Sequence, residues 1–181
     1  MATHPCENGK PHHIDQVIGS LGLFYSRDHY PLQEPFDDDS FSQYYYHAHR
    51  GGEHGHFHLF LRREGMEEEM GPLAYDDRNV SRDGQETFAH LIAISMDEQG
   101  EPIKLFTTNR WVTGEDWYAA QDVRKMLKHF DVKHAYPSYV VNRWLKGTLV
   151  LFRPQIEDLI DERDLCLMKC REGVPFKEVL E

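Results

Sequence analysis

The run Phe41-Ser-Gln-Tyr-Tyr-Tyr-His-Ala-His-Arg50 is followed by Gly51-Gly52 and then by Glu53-His-Gly-His-Phe-His-Leu-Phe-Leu-Arg62. Both runs are rich in aromatic residues, which favour β-strands. A pair of glycines between two such runs is typical of a two-residue hairpin turn, because glycine adopts the positive φ angles that this turn requires. The segment therefore predicts a β-hairpin whose strands lie in 41–50 and 53–62.

Side chains on the two strands of this hairpin alternate between its faces, because a β-strand has a period of two. A turn at Gly51-Gly52 pairs His49 with His54 and His47 with His56. One predicted face then carries Tyr45, His47, His49, His54, His56 and His58. The other carries Tyr44, Tyr46, Ala48, Gly55, Phe57, Leu59 and Leu61, a composition that predicts packing against the core.

Histidines are concentrated in this hairpin, where five of the 12 in the chain lie within residues 47–58. Protonated imidazoles on one patch would repel one another and lower one another's pKa. Neutral imidazole is a common ligand of transition metals, so a bound ion accounts for the cluster. We predict an Fe or Cu ion, with Zn as the alternative, and favour His47, His56 and one further histidine as ligands. The full set of predicted metal ligands is His47, His49, His54, His56 and His58.

An ion held only by histidines keeps coordination positions open for oxygen, water or substrate. The sequence therefore predicts a metal-dependent enzyme that acts on a small organic molecule, with Tyr45 and His58 as catalytic residues. Glu53 is expected on the opposite face, in an ion pair with Arg50, which leaves no carboxylate base beside the histidines. This expectation favours an oxidoreductase over a hydrolase. An apolar rim for the substrate is expected from Tyr45, Phe60, Trp111 and Trp117.

Two motifs in the hairpin resemble those of known families. His47-Ala-His49-Arg-Gly-Gly-Glu53 resembles the metal motif of the cupins, which implies an Fe, Mn, Ni, Cu or Zn ion in a β-barrel. His54-Gly-His56-Phe-His58 resembles the motif of the histidine-triad nucleotide hydrolases and transferases, which implies His56 as nucleophile. The hairpin and the later segment 90–95 together also resemble a set of uncharacterised bacterial proteins, and that resemblance implies no activity.

Two hypotheses stand beside the metal enzyme. The first is a metal-independent phosphoryl-handling enzyme of histidine-triad type that uses His56. The second is a module for metal storage, delivery or sensing with no catalytic activity. Acidic segments at 37–39 and 66–77 would suit an ion-attracting surface of this second kind.

Strands precede helices along the chain, and this order favours an α+β fold with an antiparallel sheet or a small, partly closed barrel. A second hairpin is expected from 89–96 and 102–108. Helices are expected over 117–130, from Pro137 to just before Gly147, and from Pro154 to Cys170. We expect one domain over 1–181, divided into an N-terminal helix and extended loop (1–40), a hairpin sheet (41–110) with an acidic loop (64–86), and a mainly helical part (111–181).

Composition limits the classes of partner. The chain has 181 residues and a formal net charge of −11, which disfavours binding to nucleic acids and anionic membranes. No apolar run reaches the roughly 18 residues of a membrane helix, and a cytoplasmic protein is expected. The three cysteines do not predict a disulfide framework, and Cys166 and Cys170 are expected to be buried on a helix. The sequence predicts no particular oligomeric state.

Overall fold

A computed structural model describes Val17, Tyr25 and residues 28–49, 51–73 and 87–170, apart from the side chain of Trp111. Its centre is an antiparallel sheet of five strands, which lie in the sheet in the same order as in the sequence. The strands are β1 (Phe36–Asp37), β2 (Ser42–His47), β3 (Gly55–Arg62), β4 (Phe88–Met96) and β5 (Pro102–Phe106). With β1 and β5 at its edges, the sheet is open. The predicted α+β fold with an antiparallel sheet is therefore confirmed, and the sheet does not close into the alternative, a small barrel.

The first hairpin has the predicted register, with Tyr45 opposite His58 and His47 opposite His56. Its strands are shorter than predicted, because β2 ends at His47 and β3 begins at Gly55. The described residues between the two strands, 48, 49 and 51–54, lie outside the ladder, so its expected extension to His49 and His54 was wrong. The backbone N–H of His54 instead donates to the carbonyl of Met96 on β4, 2.8 Å away.

In the described part of the chain, four helices follow the sheet: α1 (Arg110–Thr113), α2 (Ala120–Met126), α3 (Tyr139–Leu151) and α4 (Arg153–Cys170). The helix expected over 117–130 begins later, because the backbone at Ala119 is extended. Ser138 begins α3 by accepting a hydrogen bond from the backbone N–H of Val141. The helix then continues past Gly147, where it had been expected to end.

The predicted core face of the hairpin is buried and packs against the helices. Its fully buried side chains include Tyr44, Tyr46, Phe57, Leu59 and Leu61. The Phe57 ring lies 5.9 Å from the Trp144 ring on α3, measured between centroids. The Tyr44 hydroxyl donates to Oδ1 of Asn142 on the same helix at 2.6 Å. These contacts fix the sheet against α3 and leave the histidine face on the opposite side.

The second half of α4 differs from expectation, because Cys166 and Cys170 are exposed. The buried residues of α4 are Ile156 and Ile160, both in its first half, so its later turns lie on the surface. The predicted N-terminal helix and most of the acidic loop 64–86 lie outside the described residues. Among the described helices, none combines the length and the apolar composition that a membrane crossing requires.

Candidate metal centre

Three histidines of the hairpin bring their imidazoles together on the face of the sheet away from the helices. His47 on β2 and His56 on β3 are cross-strand partners, and their ring centroids are 4.5 Å apart. The His49 ring, just beyond the end of β2, lies 4.9 Å from the His47 ring and 5.1 Å from the His56 ring. His47 and His56 are buried, whereas His49 is exposed and marks the solvent side of the group.

The spacing of these three residues suits a metal ion. Each offers one ligand nitrogen, and the three nitrogens all lie within 4.8 Å of one another. Imidazole nitrogens bind first-row ions at about 2.0–2.1 Å, so two ligands of one ion stand no more than about 4.2 Å apart. Small side-chain rotations therefore suffice, and the group His47, His49 and His56 could hold a metal ion.

Glu53 lies beside this group, contrary to the expectation that it faces away. Its Oε1 is 2.5 Å from Nδ1 of His56, and its Oε2 accepts a hydrogen bond from the Ser95 hydroxyl, also at 2.5 Å. An ionised carboxylate only accepts hydrogen bonds, so this contact places the His56 proton on Nδ1 and the lone pair on Nε2. A metal-binding histidine commonly has such a carboxylate partner. Arg50, the expected partner of Glu53, lies outside the described residues.

His58 on β3 lies next to His56 and contacts another buried histidine, His90 on β4. The His58 ring is 4.8 Å from the His56 ring, and its Nδ1 is 3.0 Å from Nε2 of His90. Nδ1 of His90 is in turn 3.4 Å from the Thr108 hydroxyl. Burial, reinforced by the positive charge of Arg163, lowers the pKa of His90 to about 3, so this imidazole is neutral. Both ring nitrogens of His90 therefore have hydrogen-bond partners, and His90 supports His58.

Tyr45 packs among the histidines as the predicted alternation requires. Its ring centroid is 5.1 Å from those of His47 and His58 and 5.4 Å from that of Phe60. Burial raises the pKa of its hydroxyl well above the usual range, so the phenol stays protonated. The exposed ring of His29 stacks on Tyr45 at 3.8 Å.

His54 is the predicted ligand that the structure places elsewhere. Its Nδ1 lies 2.7 Å from the hydroxyl of Tyr46, whose side chain belongs to the core face of the hairpin. The backbone bond of His54 to β4 holds it outside the β2–β3 ladder, where side-chain alternation no longer applies. The predicted sharing of one face by all five histidines is therefore wrong for His54.

Almost the whole chain, residues 3–181, matches the model of one protein family, described as a domain of unknown function (DUF6969). The chain belongs to DUF6969. No curated protein and no solved structure matches it. The resemblance to an uncharacterised family is thereby confirmed, whereas the cupin and histidine-triad resemblances gain no support.

Two residues beside the centre of this DUF6969 chain were not predicted there. Glu53 lies between the two strands, where period-two alternation does not hold, so the strand pattern does not predict its position. His29 comes beside Tyr45 and His47 because Tyr30 forms an isolated antiparallel bridge with Tyr46. A single long-range bridge leaves no periodic pattern in the sequence, so no signal there could have placed His29.

A buried carboxyl group lies close to the same network. Oε2 of Glu115 accepts a hydrogen bond from the backbone N–H of His90 at 2.5 Å, and Oε1 accepts one from the Thr113 hydroxyl at 3.1 Å. Complete burial raises the pKa of Glu115 to about 8, because the charged form is poorly solvated there. Its hydrogen bonds and the charge of Arg163 oppose that rise. Glu115 thus joins the start of β4 to the segment after α1.

Proposed function

We propose that this protein is a metal-dependent enzyme in which His47, His49 and His56 bind one first-row transition ion, Fe or Cu, with Zn as the alternative. The observation that carries the proposal is the convergence of three imidazole nitrogens within 4.8 Å of one another. The contact between Glu53 and Nδ1 of His56 supports it, since it places the lone pair of His56 on Nε2 and orients the ring. Three neutral imidazoles leave coordination positions for oxygen, water or a substrate.

The surroundings of the three histidines give other side chains separate roles. Solvent and a small organic substrate reach the group from the exposed His49 side, while the buried His47 and His56 close the opposite side. Tyr45 supplies a protonated phenol next to His47 that donates a hydrogen bond to substrate. His58 lies next to His56, and its contact with His90 fixes its orientation.

The reaction class depends on which groups near the ion are available to move protons. A carboxylate does lie beside the histidines, but Glu53 is engaged by both His56 and Ser95. It therefore positions His56 and is not available as a general base. Bound Fe or Cu would supply redox or oxygen chemistry, whereas bound Zn would supply an activated water. We favour the oxidoreductase, because hydrolysis by a zinc-bound water commonly relies on a base that is free to accept a proton.

The contact between Glu53 and His56 also favours a second candidate function. A carboxylate on Nδ1 makes Nε2 of an imidazole a better nucleophile, so His56 could attack a nucleotide phosphate without any metal. The third hypothesis, metal storage or delivery, uses the five clustered histidines for capacity and exchange, without catalysis. These alternatives differ in their response to chelation and in the number of ions bound.

The metal content of untagged protein tests the leading proposal. We expect about one equivalent of Fe, Cu or Zn per chain, measured by inductively coupled plasma mass spectrometry. His49→Ala and His56→Ala should each lose most of it, and the exposed position of His49 makes its variant the safer one for folding. His129→Ala is the matched control, because His129 lies on another surface next to Glu67. Metal well below one equivalent in the wild type, or equal amounts in all variants, would contradict the proposal.

Chelation separates the remaining alternatives. A metal enzyme loses turnover of its substrate when the ion is removed and regains it when Fe, Cu or Zn returns. A histidine-triad enzyme keeps its activity in a chelator and forms a covalent phosphoramidate on His56. A storage module binds several exchangeable ions and has no turnover.

A further inference from the structure

The helix α4 carries two free cysteines on one side. Cys166 and Cys170 are four residues apart, and residues at this spacing lie one above the other on the same face of a helix. Both are exposed, and both line an open groove between α4 and the segment that follows β5. A free cysteine that serves only packing is normally buried, because it behaves as a small hydrophobe. Packing in the core therefore does not explain this pair, which the helix presents to solvent.

The spacing of the two cysteines decides what can join them. Helical residues four positions apart have Cβ atoms about 5–6 Å from one another. A disulfide needs Cβ atoms about 3.5–4.5 Å apart, so an S–S bond does not fit an intact helix at this spacing. Two bonds of about 2.3 Å from sulfur to one metal ion hold the sulfurs as much as about 4.6 Å apart. The pair therefore has the spacing for one bridging ion and is too widely spaced for a disulfide.

The number and the softness of the ligands select the ion. Thiolates bind soft ions such as Cu(I), and they also bind Zn²⁺. Zn²⁺ sites in proteins usually have three or four protein ligands. Glu162, one turn before Cys166, lines the same groove, but within the described part of the chain the hairpin histidines are the one group in which three such ligand atoms converge. Two sulfurs alone suit Cu(I), which forms stable two-coordinate complexes with thiolates.

Charged side chains of both signs lie along the groove, so net charge does not decide which ion binds. Arg163 lines it, with Nε and Nη2 donating to Oδ1 of Asp164 at 2.9 and 2.7 Å. Glu162 adds a carboxylate, but its side chain is exposed and its charge is therefore screened by water and salt. A complex of one Cu(I) with two thiolates carries a single negative charge. Its affinity rests on the two bonds between copper and sulfur.

We propose that Cys166 and Cys170 together bind one Cu(I) ion between their sulfurs, at the edge of this groove. On binding, two S–H bonds break, two Cu–S bonds form and two protons pass to the solvent, while the oxidation state of copper does not change. The inference goes beyond the proposed function, because the site uses none of the three hairpin histidines and none of them lines the groove.

Alkylation of the two cysteines by iodoacetamide reports occupancy of this site. The protein is the full chain with Cys6→Ser and His49→Ala, freed of metal by a chelator, so that Cys6 and a complete histidine group do not compete for the ion. Its two remaining cysteines are Cys166 and Cys170, and the intact mass counts how many are alkylated. The probe is Cu(I), added under argon as its acetonitrile complex. We expect one equivalent per chain to prevent alkylation of both cysteines together, whereas one equivalent of Zn²⁺ should protect neither.

Two variants separate a paired site from the mere presence of thiols. Cys166→Ser should lose the protection and bind Cu(I) at least about 100-fold more weakly in competition with bathocuproine disulfonate, since losing a ligand costs more than the roughly 10–100-fold lost with a partner of a ligand. Cys170→Ser combined with Met168→Cys keeps two thiols at exposed positions but places them two residues apart, on different sides of the helix, and should behave like Cys166→Ser.

Three results would overturn the proposal: no protection by Cu(I), equal protection by Zn²⁺, or protection that persists in the chain with Met168→Cys and Cys170→Ser. The histidine centre is tested separately, because the metal that His49→Ala loses should remain bound in Cys166→Ser. Failure of one site is therefore distinguishable from failure of the other.

Discussion

Glu53 controls the orientation of His56 through one carboxylate oxygen, while Ser95 fixes the other oxygen. At Glu53 the side chain is only 6% exposed, so the contact with His56 is shielded from water and strengthened by the low local polarity. The negative charge makes the imidazole a better electron-pair donor at Nε2. Glu53 therefore acts on the metal centre through His56, as a positioning residue.

Glu53→Gln tests this role. The amide keeps an oxygen that accepts from His56 and an N–H that donates to the Ser95 hydroxyl, so it preserves the shape and removes the charge. We expect the affinity for Zn²⁺ or Co²⁺ to fall about 10–100-fold, as is usual when a carboxylate partner of a metal-binding histidine is lost. Competition with a chromophoric chelator measures it. Glu101→Gln, a charge removal at an exposed position, should bind metal as the wild type does, and equal affinity in both variants would exclude a role for Glu53.

The residues around the centre show where sequence inference holds. The pairing of His47 with His56 was predictable, because both lie inside strands where alternation and the hairpin register apply. Glu53 and His54 lie in the connection, where hydrogen bonds to Ser95 and Met96 on β4 set their positions. Nothing in the spacing of the hairpin residues reports these contacts with a strand more than thirty residues away.

At the scale of elements, the close approach of β2 to the start of β3 depends on Gly55. A Cβ atom at this position would lie 2.6 Å from Cζ of Tyr46 and 2.7 Å from the carbonyl oxygen of His47. One of these neighbours is backbone, so the clash cannot be relieved by a side-chain rotation alone. The glycine therefore lets the two histidine-bearing strands meet.

Gly55→Ala should consequently destabilise the protein by about 1–3 kcal/mol, the usual cost of added volume in a packed site. Gly51→Ala is the matched control in the same connection, because a Cβ there meets no heavy atom within 4 Å. The control should change the free energy of unfolding by less than about 0.5 kcal/mol. Urea unfolding followed by circular dichroism measures both variants. If Gly55→Ala were as stable as Gly51→Ala, the tight packing described here would be wrong.

The helices show the complementary limit of prediction. The existence of α2, α3 and α4 followed from the sequence, whereas α1 was not expected, and α2 is shorter than expected and α3 longer. Asn142 on α3 illustrates this, since it accepts from Tyr44 on β2 and donates to the carbonyls of His134 and Tyr136. Such a buried polar link joins segments about a hundred residues apart and depends on the folded arrangement.

At the scale of the whole molecule, both faces of the sheet are buried, although only one was predicted to be. The helix-facing side packs aromatic and aliphatic groups, whereas the other side buries polar groups such as His56, His58 and His90. That second side is covered by segments that precede and follow the sheet strands, seen in the contacts of His29 with Tyr45 and of Thr108 with His90. Irregular segments of this kind leave no periodic signal in the sequence. Their packing over the second face of the sheet could therefore not be predicted.

Glu115 makes the stability of this covered side depend on pH. The pKa of its carboxyl group is about 8 in the folded protein, against a usual value of 4.5. Between these two pH values the unfolded chain gives up the proton while the folded chain retains it, so stability falls as pH rises. The contribution of Glu115 is fully present below about pH 4.5 and is lost as the pH rises through about 8.

Glu115→Gln should remove this dependence, because the amide stays neutral and can still accept from the His90 N–H and pair with Thr113. We expect the free energy of unfolding of the wild type, relative to the variant, to fall by on the order of a few kcal/mol between about pH 5 and about pH 9. Urea unfolding at both pH values measures it, with a chelator present so that metal release makes no contribution. Glu101→Gln should follow the wild type at both. Parallel pH profiles for the wild type and Glu115→Gln would mean that the buried carboxyl group titrates alike in the folded and unfolded chains.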